Sequence, residues 1–514
     1  MSENPAIIER MFEQSLPSAE SVARLGERFE RRYPSATPES AALVERICVS
    51  TRSENRAAAA QLVAIGELFA LRLSRCGETP EWAVDTEAAV AAEVAAALRI
   101  SQGLAGSRLR YARAMREQLP KVAEVFKAGD IDIRLFQTLV YRTGLITDRE
   151  VLAAVDSRLA ALVVRWPSLT MSRLAARIDK IVAKADADAV RRRKERQTER
   201  EIVIADFMEG GVSEIRGSLF TTDARAVDRA LDALAATVCE HDPRSREQRR
   251  ADAMGALAVR ADRLGCRCGR ADCAVGGRAA VSPVVIHVIA EQATVDGSGD
   301  APGSLVEADG LIPPELIAEL AESARLVPVV HPADAPAEPG YVPSKALADY
   351  VRCRDLTCRW PGCDRPAIDC DVDHTIPYGD GGPTHASNLK CYCRTHHLVK
   401  TFWGWREEQL PDGTLILTSP AGHTYVSTPG SSVLFPRLCA PTGEVPATLR
   451  RTDDRCGERT VMMPRRRRTR AQHRAARIAT ERNQNRKARE ARLAAFDAVW
   501  FPKVAATDDD PPPF

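Results

Sequence analysis

Two short-spaced ligand pairs, Cys358 with Cys363 and Cys393 with His396, stand about thirty residues apart and constrain this chain more than any other feature. Each pair forms a knuckle at one edge of a tetrahedral ion, so the chain between them must turn back and bring the second pair to the first. Four such ligands close the shell of one Zn²⁺ and leave no position for a substrate. This zinc would stabilise a small fold and do no chemistry itself. The chain start, MSENPAIIERMFEQ, lacks a basic segment followed by an apolar core, and no run of about 18 apolar residues follows. These features predict a cytoplasmic protein with no membrane association, in which disulfides do not persist and clustered thiols read as metal ligands. Cys48, Cys76, Cys239, Cys439 and Cys456 stand alone and read as buried thiols, as do Cys353, Cys370 and Cys391 near the ligand pairs.

Between the pairs lie Asp373-His374, then Asn388, and beside His396 stands His397. A carboxylate and an imidazole close together can hold a divalent cation with open water positions, while an adjacent imidazole outside the ligand set remains a base. CDVDHTIP reads as a strand, YGDGGPTHAS as a loop, SNLKCYC as a returning strand and RTHHLVKTF as a helix. His385 falls in the loop and is expected to face solvent, and Lys400, one helical turn beyond the histidine pair, is expected either to meet a phosphate or to be a solvated lysine. His396 and His397 point about 100° apart on a helix and cannot share a role.

These fifty or so residues resemble the HNH endonucleases, the ββα-metal nucleases. The resemblance implies that His374 is the general base activating water for in-line attack on a phosphodiester. It implies that Asp373 and His397 hold one catalytic divalent cation, Mg²⁺ or Mn²⁺, and that Asn388 braces the loop carrying the base. The implied products are a 5′-phosphate and a 3′-hydroxyl. Related sequences often carry Cys-x-x-Cys-His here, which puts His396 with the zinc and His397 in the active site.

The length of 514 residues predicts about three units at roughly 150 residues each, and 45% hydrophobic with 28% charged residues excludes a wholly disordered chain. The expected fold class is α+β and multidomain. A mobile lead-in covers 1–45, a helical to α+β domain 46–335, the zinc-containing ββα module 341–428, and a basic, disordered or loosely helical tail 450–514. Helix breaks are expected at 77–80, Gly103, Gly129-Asp130 and Trp166-Pro167, with a solvated helix end at 191–201. EIVIADF and VSEIRGSLF predict a hairpin, followed by a helix over 222–238, a strand PVVIHVIAE, a helix PPELIAELAESARL and a linker HPADAPAEPG. WGWREEQLPDGTLILTSPAGHTY predicts a hairpin turning at Pro-Asp-Gly. The Ala-rich helices, CRCGRADC and YVPSKALADYVRCRD leading into the ββα segment resemble the 13E12 repeat family of high-GC Gram-positive bacteria, over roughly 45–425. That family joins a domain of unknown function to a C-terminal HNH module.

Cys266, Cys268 and Cys273 form a second cluster, which reads either as a cysteine-rich turn or, with a fourth ligand such as His287 or His241, as a zinc site. The net charge of +2 hides a basic tail, in which Arg465, Arg466, Arg467, Arg468 and Arg470 begin a stretch with no apolar stripe wide enough to dock. Such a segment attracts phosphates without reading sequence. The expected function is a metal-dependent DNA endonuclease with DNA as partner. The alternative is a non-catalytic, zinc-stabilised nucleic-acid-binding protein derived from one.

Overall fold

The computed structural model describes residues 37–443 and 462–500, apart from gaps at 167–168, 192–200, 207–211, 220, 274–285, 307–309 and 323, and a few positions before 37. The charge run expected to end a helix at 191–201 lies almost entirely outside the described residues, as do Cys456 and most of the lead-in. A mixed α/β chain results, rich in helix, with four small antiparallel sheets among the described residues.

The first unit is helical. Helix α1 (Pro38–Cys76) begins within the expected lead-in, because Thr37 and Ser40 form a capping box and proline sits at the first turn. It stops at Gly77, whose φ of +70° an L side chain rarely adopts. α1 has an apolar stretch long enough to cross a membrane, with mean hydropathy 1.4, and it turns Ala59, Leu62 and Ile65 into the helical core. Cys48 and Cys76, expected to be buried, are exposed on it. Helices α2 (Thr86–Leu98), α3 (Gln102–Glu117), α4 (Pro120–Lys127), α5 (Ile133–Thr143), α6 (Arg149–Val163) and α7 (Met171–Ala185) follow. The break between α2 and α3 falls at 99–101, before Gly103. Arg99 takes a left-handed conformation, and the Ser101 hydroxyl caps α3 by accepting from Leu104 N. Leu109, Phe126, Phe136, Leu139 and Leu159 fill the core of this unit.

The expected hairpin is β1 (Ile202–Asp206) paired with β2 (Ser213–Gly217), and helices α8 (Thr221–Ala235) and α9 (Arg246–Ala258) follow. The strand in PVVIHVIAE shortens to β3 (Val288–Ile289), which pairs with β4 (Gly303–Leu305), itself paired with β5 (Leu311–Ile312); α10 (Gln292–Val295) lies between β3 and β4. α11 (Pro314–Ala321) closes this middle region.

The second core is built by α12 (Lys345–Asp355), β6 (Cys370–His374), β7 (Leu389–Cys393), α13 (Arg394–Phe402) and a meander of β8 (Arg406–Gln409), β9 (Leu415–Thr418) and β10 (Thr424–Ser427). The expected hairpin at Pro-Asp-Gly is thus two strands of three. The module also continues past 428, since Ser387 bonds Thr442 and Gly443. The segment expected to be a linker at 331–340 is a strap across it: His331 bonds the Ala440 carbonyl, and Glu338 bridges Thr384.

Helix α2 joins the two cores. Val90, Ala91, Val94 and Ala95 pack into the helical core, while Ala88, Ala89, Ala92 and Ala96 pack into the second. A helix apolar on all sides must be covered on all sides, and alanine lets two layers approach closely. Ala92→Leu should therefore overpack the joint and lower stability by about 1–3 kcal/mol. A lower urea midpoint in tryptophan fluorescence checks this; an unchanged midpoint would mean the joint is loose.

The tail corrects the expectation of a free segment. α14 (Arg470–Trp500) docks on the first unit, with Ile478 against its core, Asn485 bonded to the carbonyls of Asp188 and Val190, and Arg482 paired with Asp186 at 2.6 Å. Glu481 pairs with Arg191 and Arg489 with Asp188. Docking runs through polar partners around 186–191, which is why no wide apolar stripe is needed. Before α14, Arg466 and Arg470 both pair with Asp85, the residue that caps α2 by accepting from Ala88 N. Asp85→Ala should cost about 1–2 kcal/mol through the lost cap and the loss of the carboxylate shared by Arg466 and Arg470. Limited proteolysis should then release the tail faster; an unchanged cleavage rate would show that Asp85 does not hold it.

Candidate metal centre and active site

Strands β6 and β7 pair from Cys370 opposite Cys393 to His374 opposite Leu389, and α13 starts directly after Cys393. That register puts one end of the hairpin at the thiols and the other at the Asp373-His374 pair.

At the thiol end, the ligand atoms of Cys358, Cys363, Cys393 and His396 lie within 4.8 Å of one another. His396 turns Nδ1 to the sulfurs of Cys393, at 3.3 Å, and Cys358, at 3.5 Å, while its Nε2 donates to Gln102 Oε1 on α3 at 3.4 Å. Trp360 stacks on the ring at 4.8 Å between centroids. A histidine held on its far nitrogen and on its face is oriented before any metal arrives. Burial pushes the Cys358 thiol up, whereas hydrogen bonds from Cys358 and Cys363 hold Cys393 well below the usual range. This Cys₃His set could hold a structural zinc.

At the other end, Asp373 Oδ1 faces His397 Nε2 at 3.2 Å, and His397 Nδ1 bonds Asp371 Oδ2 at 2.8 Å. Asp373 Oδ2 accepts from Lys390 at 2.8 Å and Lys400 at 3.1 Å, and Glu407 Oε1 pairs with both lysines. Burial tends to raise the Asp373 carboxyl, but the two ammonium groups and His397 outweigh it and hold it well below the carboxylate range. Burial likewise disfavours charged His397, yet Asp373 and Asp371 prevail and raise it. His397 therefore donates Nδ1–H to Asp371 and Nε2–H to Asp373, and a cation bound between Nε2 and Asp373 would take the place of the second proton. One nitrogen and one carboxylate oxygen thus converge, a donor set that fits a divalent cation with open positions.

His374 is buried. Its Nε2 lies 2.9 Å from Thr384 Oγ1, which itself donates to the Gly340 carbonyl. The threonine hydroxyl has one proton and gives it to Gly340, so the imidazole must be the donor at Nε2, leaving the Nδ1 lone pair available. Burial holds its pKa below the usual histidine value, which keeps the ring neutral. Tyr341 stacks on it at 5.3 Å and Tyr378 meets it edge-on. Asn388 closes the loop between β6 and β7: Oδ1 accepts from Ile376 N, and Nδ2 donates to the carbonyls of Ile376 and Pro383.

Arg354 and Asp355 at the end of α12 support the hairpin from below. Arg354 donates to the carbonyls of Ala386 and Leu389, and Asp355 accepts from Cys391 N. Burial would push the Asp355 carboxyl up, but Arg354 and Arg359 reverse the effect.

The structure therefore brings together Asp373, His397 and His374 at one end and the four zinc candidates at the other. It corrects three expectations nearby. Lys400 is turned inward to Asp373, Glu407 and the His374 carbonyl, so it is not free to meet a phosphate. His385 is buried, bonding the Ala335 carbonyl of the strap. Of the tail arginines, Arg466 and Arg470 are committed to Asp85, while Arg465, Arg467 and Arg468 are exposed. Cys391 is buried as expected. Sequence reading missed Asp371, Lys390, Glu407, Thr384, Tyr341 and Gln102. Only Asp371, two residues before Asp373 on the same strand, carried a local signal.

In the second cluster the fourth member is Cys239, in place of His241 or His287: the sulfurs of Cys239, Cys266, Cys268 and Cys273 lie within 4.8 Å of one another.

A family model described as "Domain of unknown function (DUF222)" matches residues 49–355. "Uncharacterized protein Rv2100" of Mycobacterium tuberculosis is 42% identical over 519 aligned residues, covering 93% of this chain and 91% of that protein. "Uncharacterized protein Rv3776" of the same organism is 42% identical over 471, covering 86% and 90%. No solved structure matches the chain.

Proposed function

Because the chain belongs to the DUF222 family, whose description names no activity, we propose its function from the site: a metal-dependent DNA endonuclease of the HNH type, within the 13E12 repeat group, acting in the cytoplasm. The observation that carries this reading is a neutral, buried His374 at the end of β6 beside an Asp373–His397 pair 3.2 Å apart, next to the loop that Asn388 braces. A module that only binds nucleic acid needs none of these four in this arrangement.

His374 Nδ1 would take the proton from the attacking water, and the Nε2–H bond to Thr384 would hold the ring as it becomes charged. Tyr341 and Tyr378 would fix its plane. Asp373 and His397 would hold a divalent cation that neutralises charge developing on the phosphate. The exposed Arg465, Arg467 and Arg468 would contact DNA backbone without reading sequence.

One observation favours the second reading, a zinc-stabilised nucleic-acid-binding protein without cleavage: Lys390 and Lys400 already neutralise Asp373. Incubation of the purified protein with supercoiled plasmid decides between them. Nicking or linearisation that needs Mg²⁺ or Mn²⁺ and stops with chelator supports the nuclease. Salt-sensitive retardation without cleavage under every cation overturns it in favour of the second reading.

A further inference from the structure

The helical pair α8–α9 belongs to neither core. Over 221–273 the buried apolar side chains among the described residues are Leu234, Ala235, Ala253 and Leu264, and none of them joins either of the two large clusters. The pair is antiparallel and held across its face by charge, with Arg246 and Arg250 on Asp232 and Arg250 also on Asp228. Partly exposed ion pairs contribute little each, and a segment of this size with so small a core ordinarily needs a disulfide or a metal.

The segment after α9 runs back onto the loop that joins the two helices. Leu264 N donates to Thr237 Oγ1, Arg244 donates to the Gly265 carbonyl, and Arg267 N donates to Asp242, which also pairs with Arg244 at 2.8 Å. These bonds deliver Cys266, Cys268 and Cys273 to Cys239. The Cys239 and Cys266 sulfurs are 3.4 Å apart, and all four sulfurs fall within 4.8 Å, whereas a ZnS₄ tetrahedron with Zn–S near 2.3 Å sets its sulfurs about 3.8 Å apart. Gly269, at φ +66°, supplies the left-handed turn that curls the chain from Cys268 towards Cys273. None of the four is disulfide-bonded. Arg267 and Arg270 alternate with the thiols along the chain; Arg267 pairs with Glu319 and Arg270 with Asp272, and Arg270 also feels the charge of Cys268, Cys239 and Cys273.

We propose that Cys239, Cys266, Cys268 and Cys273 hold a second structural Zn²⁺, which pins the segment after α9 to the α8–α9 loop and replaces the core that this part of the chain lacks. The site is closed by four protein ligands and is independent of the nuclease reading.

The test is the zinc content of the full-length protein, purified under reducing conditions and measured by elemental mass spectrometry. Two ions per chain are expected in the wild type. The double variant Cys239→Ser, Cys268→Ser should hold one, Cys363→Ser should also hold one, and the combination none. Cys239→His, which keeps four donors, should hold two. Because a variant can lose zinc by misfolding, a second measurement uses wild-type protein: a mercurial thiol titrant should release two zinc ions by the time all fourteen thiols, seven of them ligands, have reacted. A wild type with one ion that Cys363→Ser removes overturns the proposal. A wild type with one ion that survives Cys363→Ser but not the double variant supports it, and removes the other centre instead. Two ions that persist in the double variant, or disulfides at these cysteines found by peptide mass spectrometry, also overturn it.

Discussion

Cys363→Ser is expected to remove one zinc ion per chain and to unfold the second core. A structural zinc contributes on the order of 10–16 kcal/mol at neutral pH, as much as or more than the roughly 5–15 kcal/mol by which a domain is stable. Cys363 closes the turn at 360–363 by donating to the Trp360 carbonyl, and within it Gly362 has φ +76° and lies so close to Ile100 that an added Cβ would approach its carbonyl oxygen to 2.6 Å. Losing the ion frees that turn, the Trp360–His396 stack and the His396–Gln102 bond together. Damage should spread to α2, since Trp403 Nε1 donates to the Val84 carbonyl just before it. Zinc analysis with fluorescence of the buried tryptophans checks this. A variant that lacks the ion yet unfolds at the wild-type midpoint would show that the apolar core suffices.

His374→Ala should lower plasmid nicking by about 10²–10⁴-fold, the usual contribution of a positioned base. Fold and zinc content should stay as in the wild type, because the ring bonds Thr384 and packs on Tyr341, with no thiol among those partners. Single-turnover rates on supercoiled plasmid, beside zinc analysis, separate the two effects. Undiminished nicking would remove His374 from the chemistry, and loss of zinc would show that the ligands are wrongly partitioned.

What the sequence made legible has short range. The ligand spacings, the strand-loop-strand-helix order and the Asp-His pair all fall within about forty residues, where periodicity and turn residues act directly. Asn388 was legible for the same reason, and it closes its loop as the resemblance implied. Gln102, Tyr341 and Glu407 were not, because they reach the site from α3, the residue after the strap and β8, and nothing in their own neighbourhood marks them. Cys239 lies 27 residues before Cys266, with the whole of α9 between, so no spacing rule links them. The docking of the tail was not legible because it has no wide apolar stripe: Arg482, Asn485 and Arg489 dock through polar atoms. The break expected at Gly103 falls two to four residues earlier, because Ser101 is the cap and Gly103 is taken into the first turn of α3.

The doubly covered α2 has a consequence for synthesis. Thr86 leaves the ribosome about 270 residues ahead of Cys358, which at roughly 5–20 residues per second leaves one side of this helix bare for about 15–50 s. That side presents Ala88, Ala89, Ala92 and Ala96, and a row of methyl groups is a weak target for the mispairing that leucines or valines would invite. Alanine there serves the nascent chain while it waits, as well as the finished joint.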